Sequence, residues 1–339
     1  MKRKSEKEIM AAIYPEDIFT MDIELIEQEK ENYIMDFKPK DYCAIKNYTI
    51  TRKVLLLYNQ AIERLEGNVG FEKADTYKTM SPLFEVTTKG ELYQFYENVF
   101  EGEVAYIYKG TTGKDSVYLK VAIDSDDNKL IDTEYEVLSE LKHQSLPYAK
   151  QKIMINDNRA ILMREIKGVT MSELLEQYPK GVPQEHVMWI MERLFSVVGY
   201  LHSKCVVHGI IKPENIIINK DNHNVSLVGF SFCIPKANTE DAKYKIVNEY
   251  YTAPEVNKTS RVLPSSDVYS IGKIAIKLLG GDIKTNQMPV SIDERVRKFI
   301  EKMVSNAPSD RPDDVWKLWS ELIELRTEVF GTQRFKKLD

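Results

Sequence analysis

The sequence predicts an α+β protein built from a small all-helical module, a small β-rich lobe and a larger helical lobe, in that order. Three observations carry this expectation. Apolar residues recur at helical spacing in two stretches before residue 67, β-branched and aromatic runs dominate residues 91–122, and amphipathic stretches fill the chain from residue 129 onward.

The opening helices come first. In "MDIELIEQEKENYIMDF", residues 21–37, Ile23, Ile26, Tyr33, Ile34 and Phe37 form one apolar stripe, and Val54, Tyr58, Ala61 and Leu65 do the same in "TRKVLLLYNQAIERLE". Between them "KPKDY" carries Pro39, which ends the first helix and forces a loop. Gly67, Asn68 and Gly70 terminate the second helix, and the aperiodic stretch that follows reads as a linker over residues 67–82. "ELYQFYENVF", "EVAYIYKG" and "SVYLKVA", separated by short Gly-containing turns, then read as successive antiparallel strands. Helical periodicity takes over in "KLIDTEYEVLSELKH", "PQEHVMWIMERLFSVVGYLHSK" and "SSDVYSIGKIAIKLLGG".

Composition narrows the class of partner. At 339 residues with 43% hydrophobic and 29% charged side chains, the chain has the apolar mass for a real core and the length of two units. A formal net charge of −5 with mixed signs offers no general attraction to nucleic acid, and the basic opening "MKRKSEK" reads as a solvated tail. Cys43, Cys205 and Cys233 are too few and too scattered for a disulfide framework or a zinc site, which fits a reducing cytosol. No secretory segment follows the basic start, and no run approaches the roughly 18 apolar residues that span a bilayer. A soluble cytoplasmic protein with neither a nucleic-acid nor a membrane partner is expected.

A series of motifs then stands in order: "VYLK", "EYEVLSELKH", "ILMREIKGVTMSELL", "HGIIKPEN", "GFS", "TAPE", "SSDVYSIG" and "DRP". With these landmarks, residues from about 83 to 325 resemble a eukaryotic-type protein kinase. The resemblance implies a bilobal fold. It makes Lys120 the phosphate-pairing lysine, Glu134 its partner on the first helix, and Met163 the residue at the gatekeeper position. "HGIIKPEN" stands for HRDLKPEN, "GFS" for DFG and "TAPE", ending at Glu255, for APE. "SSDVYSIG" contains the buried aspartate, Asp267, and "DRP" the late arginine, Arg311.

The reacting positions depart from the family. Phosphoryl transfer needs one aspartate near the substrate hydroxyl and another holding magnesium against the phosphates. Here Ile210 occupies the first position and cannot accept a proton, while Gly229 occupies the second and offers no oxygen to a hard cation. Gly209 replaces the arginine whose guanidinium reads a phosphorylated activation loop. In "FEGEVAY" only Gly102 remains of three phosphate-loop glycines, with Phe100 and Ala105 at the outer positions and Glu101 and Glu103 set to repel a polyanion. No metal site, no cofactor and weak or absent ATP binding are expected, and the chain reads as a pseudokinase rather than an enzyme.

Other positions keep the family's residue. Lys120, Glu134, Lys212 and Asn215 admit two readings: a residual nucleotide pocket, or a structural ion pair with loop side chains that satisfy backbone groups. The missing metal ligand favours the second. In the resemblance His208 and Phe230 pack in a column below Leu138, Asp267 bonds the loop backbone, and Glu255 pairs with Arg311.

Residues 1–66 resemble a J domain, the co-chaperone module that stimulates heat-shock ATPases, but Lys38, Pro39 and Lys40 stand where that family has His-Pro-Asp. Lysine for aspartate inverts the charge offered to the chaperone, so stimulation is not expected. The division that follows is 1–66 for a degenerate J-domain-like module, 67–82 for a linker, 83–330 for the kinase-like domain and 331–339 for a tail. Three functions compete: a protein-interaction or scaffold module, which is preferred; an atypical kinase or nucleotidyltransferase using Lys120, Asn215 and a carboxylate such as Glu214 or Asp221; and a non-stimulating co-chaperone.

Overall fold

The structure, a computed structural model, describes residues 82–239, 242–256, 262–331 and 337–338. The expected J-domain-like module with Lys38, Pro39 and Lys40, the linker up to residue 81, and Cys43 lie outside the described residues. The described chain forms two units: one holds residues up to 125 together with 155–158, and the other holds the rest.

In the first unit four strands run antiparallel in sequence order: β1 (Phe84–Thr88), β2 (Glu91–Glu101), β3 (Ala105–Thr111) and β4 (Ser116–Ala122). Lys89 and Gly90, with φ of 50° and 75°, make the two-residue turn between β1 and β2, the left-handed pair that matches the twist of a hairpin. Two register shifts, at Phe95/Glu97 and Asn98/Phe100, break the regular pairing of β2 with β3 and increase its twist. Tyr93, Phe95, Tyr108 and Leu119 are fully buried, and Phe84 stacks on Phe95 at 5.1 Å and meets the edge of Tyr108 at 5.0 Å. The third strand starts at Ala105 rather than Glu103, because the Gly102 N–H donates to the Ala105 carbonyl at 2.9 Å and closes a tight turn there.

The second unit is mainly helical. Helix α1 (Asn128–Glu140) buries Ile131, Glu134, Val137 and Leu138. Strands β5 (Ala149–Ile155) and β6 (Asn158–Arg164) follow, then β7 (Val169–Thr170) and α2 (Met171–Gln177). Thr170 caps α2 in a reciprocal box with Glu173, which satisfies backbone donors that a helix start otherwise leaves open. Helix α3 (Gln184–Ser203) and the hairpin of β8 (Ile216–Asn219) and β9 (Asn224–Leu227) carry the centre of the unit, with β7 paired to β8.

Helix α4 (Ser265–Leu278) is buried on nearly every face, and its buried Ser265, Ser266, Asp267, Ser270 and Lys273 stand among apolar residues. Helices α5 (Glu294–Met303) and α6 (Val315–Phe330) complete the unit, with Asp293 and Asp314 as N-caps. Phe195, Ile274 and Leu322, from α3, α4 and α6, lie in one continuous buried cluster. The segment expected as a tail also contributes to it: Leu338 is buried in this cluster, and Lys337 pairs with Asp221 at 2.7 Å.

A β-rich unit and a helix-rich unit are what the expected two-lobe α+β fold requires. No helix among the described residues is long and apolar enough to cross a membrane. Among them Cys205, which is exposed, and Cys233, which is buried, are not in disulfides.

Candidate functional site

The second unit carries the two loops singled out by the motifs, and one carboxylate organises the first of them. Asp267, in the first turn of α4, accepts the His208 N–H on Oδ2 and the Gly209 N–H on Oδ1, both at 2.9 Å, and its Oδ2 lies 3.0 Å from His202 Nε2. Burial pushes the Asp267 carboxyl up, but the His202 hydrogen bond, the His202 and His208 charges and the Gly209 N–H outweigh it, so its pKa lies below the ordinary value. The loop is thereby held by its backbone.

The His208 ring then spans to the second loop. Its Nε2 lies 3.0 Å from the Val228 carbonyl, and the ring meets Phe230 edge-on at 4.8 Å. Phe230 and Leu138 belong to the same buried cluster. Asn215 ends the short helical turn Pro213–Asn215, donates from Nδ2 to the Ile210 carbonyl at 2.9 Å, and accepts the Val228 N–H on its own carbonyl at 2.9 Å. Ile210 is 5% exposed, so its side chain packs as an apolar residue should. Lys212 is half-buried in extended backbone just before this turn.

Gly229 sits at φ 82°, ψ 48°, the left-handed region that glycine enters without strain. A Cβ added there would lie 2.5 Å from Asn215 Oδ1, so the asparagine side chain fills the space that any side chain at 229 would need. Two residues on, Ser231 Oγ donates to Glu134 Oε2 at 2.7 Å, with both groups buried. This bond joins α1 to the turn Phe230–Phe232; the only sequence signal for it is the serine in the third place of "GFS". Elsewhere in the unit Arg311 bonds Glu255 and donates from Nη1 to the Ser265 carbonyl at 3.0 Å, all of it buried. Met163 is buried in β6.

In the first unit Lys120 lies on β4 opposite Ile107 of β3 and is 7% exposed. Gly102 occupies the β2–β3 turn, where a Cβ would stand 3.0 Å from the Phe100 ring and 3.1 Å from the Ala105 carbonyl. The space around this turn is set by Phe100 and by backbone. Lys120 and Glu134 are thus each buried, one in each unit.

The order of strands and helices and these motif positions agree with comparison to known proteins: residues 93–325 match the family model described as protein kinase domain. The chain belongs to the protein kinase family. It is 23% identical over 267 residues to the serine/threonine-protein kinase dkf-2 of Caenorhabditis briggsae, covering 76% of this chain and 21% of that protein. It is 25% identical over 211 residues to the serine/threonine-protein kinase pak-1 of Caenorhabditis elegans, covering 61% and 35%. To serine/threonine-protein kinase 33 of Bos taurus it is 26% identical over 185 residues, covering 51% and 37%. The chain therefore spans well under half the length of these curated relatives.

This membership corrects one expectation. The sequence reading made the chain no enzyme because two carboxylates are absent; the match to a kinase domain and to proteins named as serine/threonine kinases points instead to a kinase enzyme. Positions 210 and 229 bear on how such a kinase handles its cofactor. Magnesium asks for oxygen ligands; the side chains of Ile210 and Gly229 offer none, while Asn215 gives its amide nitrogen to the Ile210 carbonyl and keeps Oδ1 on the side of Gly229. Among the described residues no group of three His, Cys, Asp or Glu side chains is placed to hold a metal ion. The two carboxylates that would usually hold a magnesium-bound triphosphate are not among the residues of these loops.

Proposed function

We propose that this kinase-family chain acts on a protein partner as a regulatory or scaffold module, and that its phosphoryl transfer runs without the two usual carboxylates. Such transfer is far slower than in kinases that hold them, since general acid–base help is worth about 10²- to 10⁴-fold before the metal clamp is counted. The observation that carries the reading is the seat of Gly229, which holds no carboxylate and where even a Cβ would stand 2.5 Å from Asn215 Oδ1. Partner binding is supported by what stands beside that loss. The Asp267, His208 and Glu255–Arg311 contacts keep the loop backbones and the helical body in one shape, which is what a binding surface needs. In this reading ATP is held weakly, the partner is a protein rather than a nucleic acid or a membrane, and the location is cytoplasmic.

A second reading is favoured by the relatives' names: phosphoryl or nucleotidyl transfer with Lys120, Asn215 and an unconventional carboxylate. Asp221 already pairs with Lys337, which leaves Glu214, an exposed residue next to Asn215.

Labelling from radioactive ATP and thermal shift with ATP, alone and with magnesium or manganese, separate the two readings. The first expects labelling far below the about 1–100 s⁻¹ of ordinary kinases and a metal-independent shift near zero. Labelling in that range, or a metal-dependent shift of several degrees that Lys120→Ala abolishes, promotes the second. Capture of a heat-shock chaperone, lost on charge reversal in residues 21–37, would add the co-chaperone role suggested by residues 1–66.

A further inference from the structure

In the resemblance drawn from the motifs, the arginine ahead of the loop aspartate reads a phosphate on the segment that ends in "TAPE". Here that arginine is Gly209. The space beside it is occupied: a Cβ on Gly209 would lie 2.9 Å from Ile234 Cδ1 and 3.9 Å from Tyr244 Cδ1. Ile234 belongs to a small buried cluster with Val207, Ala242 and Val262, and Tyr244 packs against that cluster.

The Tyr244 hydroxyl then enters a closed ring of hydrogen bonds. It accepts the Leu263 N–H at 3.1 Å and donates to Ser266 Oγ at 2.6 Å, and the Ser266 hydroxyl donates to the Leu263 carbonyl at 2.7 Å. Each hydroxyl gives its one proton and receives one, so the ring is complete without a charge or a ligand. Burial, first among the causes, pushes the Tyr244 phenol up to about 12, so the donor stays protonated across the physiological range. Leu263 and Ser266 flank the start of α4, the helix whose Asp267 holds the 208–209 loop.

Further along the segment the same economy holds. Asn248 Oδ1 accepts the N–H groups of Tyr250 and Tyr251 at 3.1 and 3.2 Å, Thr252 Oγ1 accepts that of Asn248 at 2.7 Å, and Ser270 of α4 donates to the Tyr251 carbonyl at 2.8 Å. Side chains of the segment and of α4 already do what a phosphate and an arginine do in a switched segment.

We propose that Tyr244 is a built-in latch that fixes residues 244–256 to the start of α4, so that this segment holds its folded shape without phosphorylation. The latch stands apart from the proposed function, since it holds whether or not the loops transfer phosphate.

Amide hydrogen exchange on the full chain tests it, with Tyr244→Phe keeping the ring and removing the hydroxyl. Exchange across 244–256 is expected to rise by about fivefold, the factor for one buried hydrogen bond, while α3 stays unchanged. Phosphatase treatment of the wild type is expected to change nothing in the segment. Unchanged exchange in Tyr244→Phe overturns the latch, and so does loosening of the phosphatase-treated wild type to the level of the variant. If Tyr244→Phe fails to fold, Ser266→Ala, which opens the ring from the other side and leaves the tyrosine seated, gives the same reading by the same criterion.

Discussion

Replacing Asp267 with asparagine tests the claim that one carboxylate holds the 208–209 loop in place. The side chain keeps its shape, but its acceptors fall from two oxygens to one. In the wild type Oδ1 takes the Gly209 N–H and Oδ2 takes the His208 N–H at equal length, with His202 Nε2 also on Oδ2. In the variant one of the two backbone donors must face an NH₂ group. His202 recovers its contact by changing tautomer; the orphaned N–H, buried with its neighbours, cannot recover. An unsatisfied buried donor costs about 1–3 kcal/mol and a hydrogen bond to a charged acceptor contributes about 1.5–3, so a loss of about 3 kcal/mol is expected. Urea unfolding followed by tryptophan fluorescence measures it as a lower midpoint at unchanged slope. Acid supplies a second reading. The folded-state pKa of Asp267 lies below 3.8, so its contribution is complete above that value and fades as pH falls through the folded value. The gap between wild type and variant should therefore close on acidification below about pH 3.8. A loss under about 0.5 kcal/mol at neutral pH, the range of ordinary surface changes, would refute the capping role.

Three further outcomes follow from the same contacts. Glu255→Gln leaves the buried Arg311 guanidinium without its anion and should cost about 3 kcal/mol in the same unfolding assay, with Arg311→Met in the same background recovering part of it. Gly229→Ala forces a Cβ into Asn215 at a φ of 82° and should destabilise by about 1–3 kcal/mol, whereas Gly113→Ala, where nothing lies within 4 Å, should cost only its backbone strain. Burial, with His186 and Arg193 adding to it and Glu185 opposing, lowers the His223 pKa from 6.5 to about 4. His223 therefore contributes stability above pH 6.5 that is lost as pH falls toward 4. His223→Gln should flatten the melting temperature in that window, and an equally steep profile in the variant would place the titration elsewhere.

The strands of the first unit were legible because Tyr93, Phe95 and Tyr108 belong to runs of aromatic and β-branched residues; β1 was not, since "FEVTT" is five residues with none fully buried. Helices α3 and α4 were legible from their apolar faces, and α5 carries as clear a signal, with Val296, Phe299, Ile300 and Met303 at i, i+3, i+4 and i+7 among charged residues. The expected contacts of Asp267 with the loop and of Glu255 with Arg311 could be written down because motif order fixes which residues meet. Contacts that motif order does not prescribe could not. His202 beside Asp267, Ser231 on Glu134 and the Tyr244 ring each join groups 22–97 positions apart through one side-chain bond, and neither period nor spacing marks such a pair.

The same distinction explains how a chain with Ile210 and Gly229 still matches a kinase domain. The bonds that hold the two loops run through backbone: His208 N–H and Gly209 N–H to Asp267, Val228 N–H to the Asn215 carbonyl, Asn215 to the Ile210 carbonyl. None of them senses the side chain at 210, and only the Asn215 bond to the Ile210 carbonyl meets a side chain at 229. An isoleucine at 210 adds apolar burial, and a glycine at 229 is compatible with the left-handed turn that the loop needs. Loop shape and loop chemistry are thus separable at position 210. Restoring a single carboxylate at 210 should leave the fold intact, because its backbone contacts are indifferent to it. Restoring one at 229 should not, because Asn215 must first vacate the space. A Gly229→Asp variant should gain stability when Asn215→Ala is added, by unfolding in urea. If the double variant is no more stable than Gly229→Asp alone, the asparagine is not what fills that site.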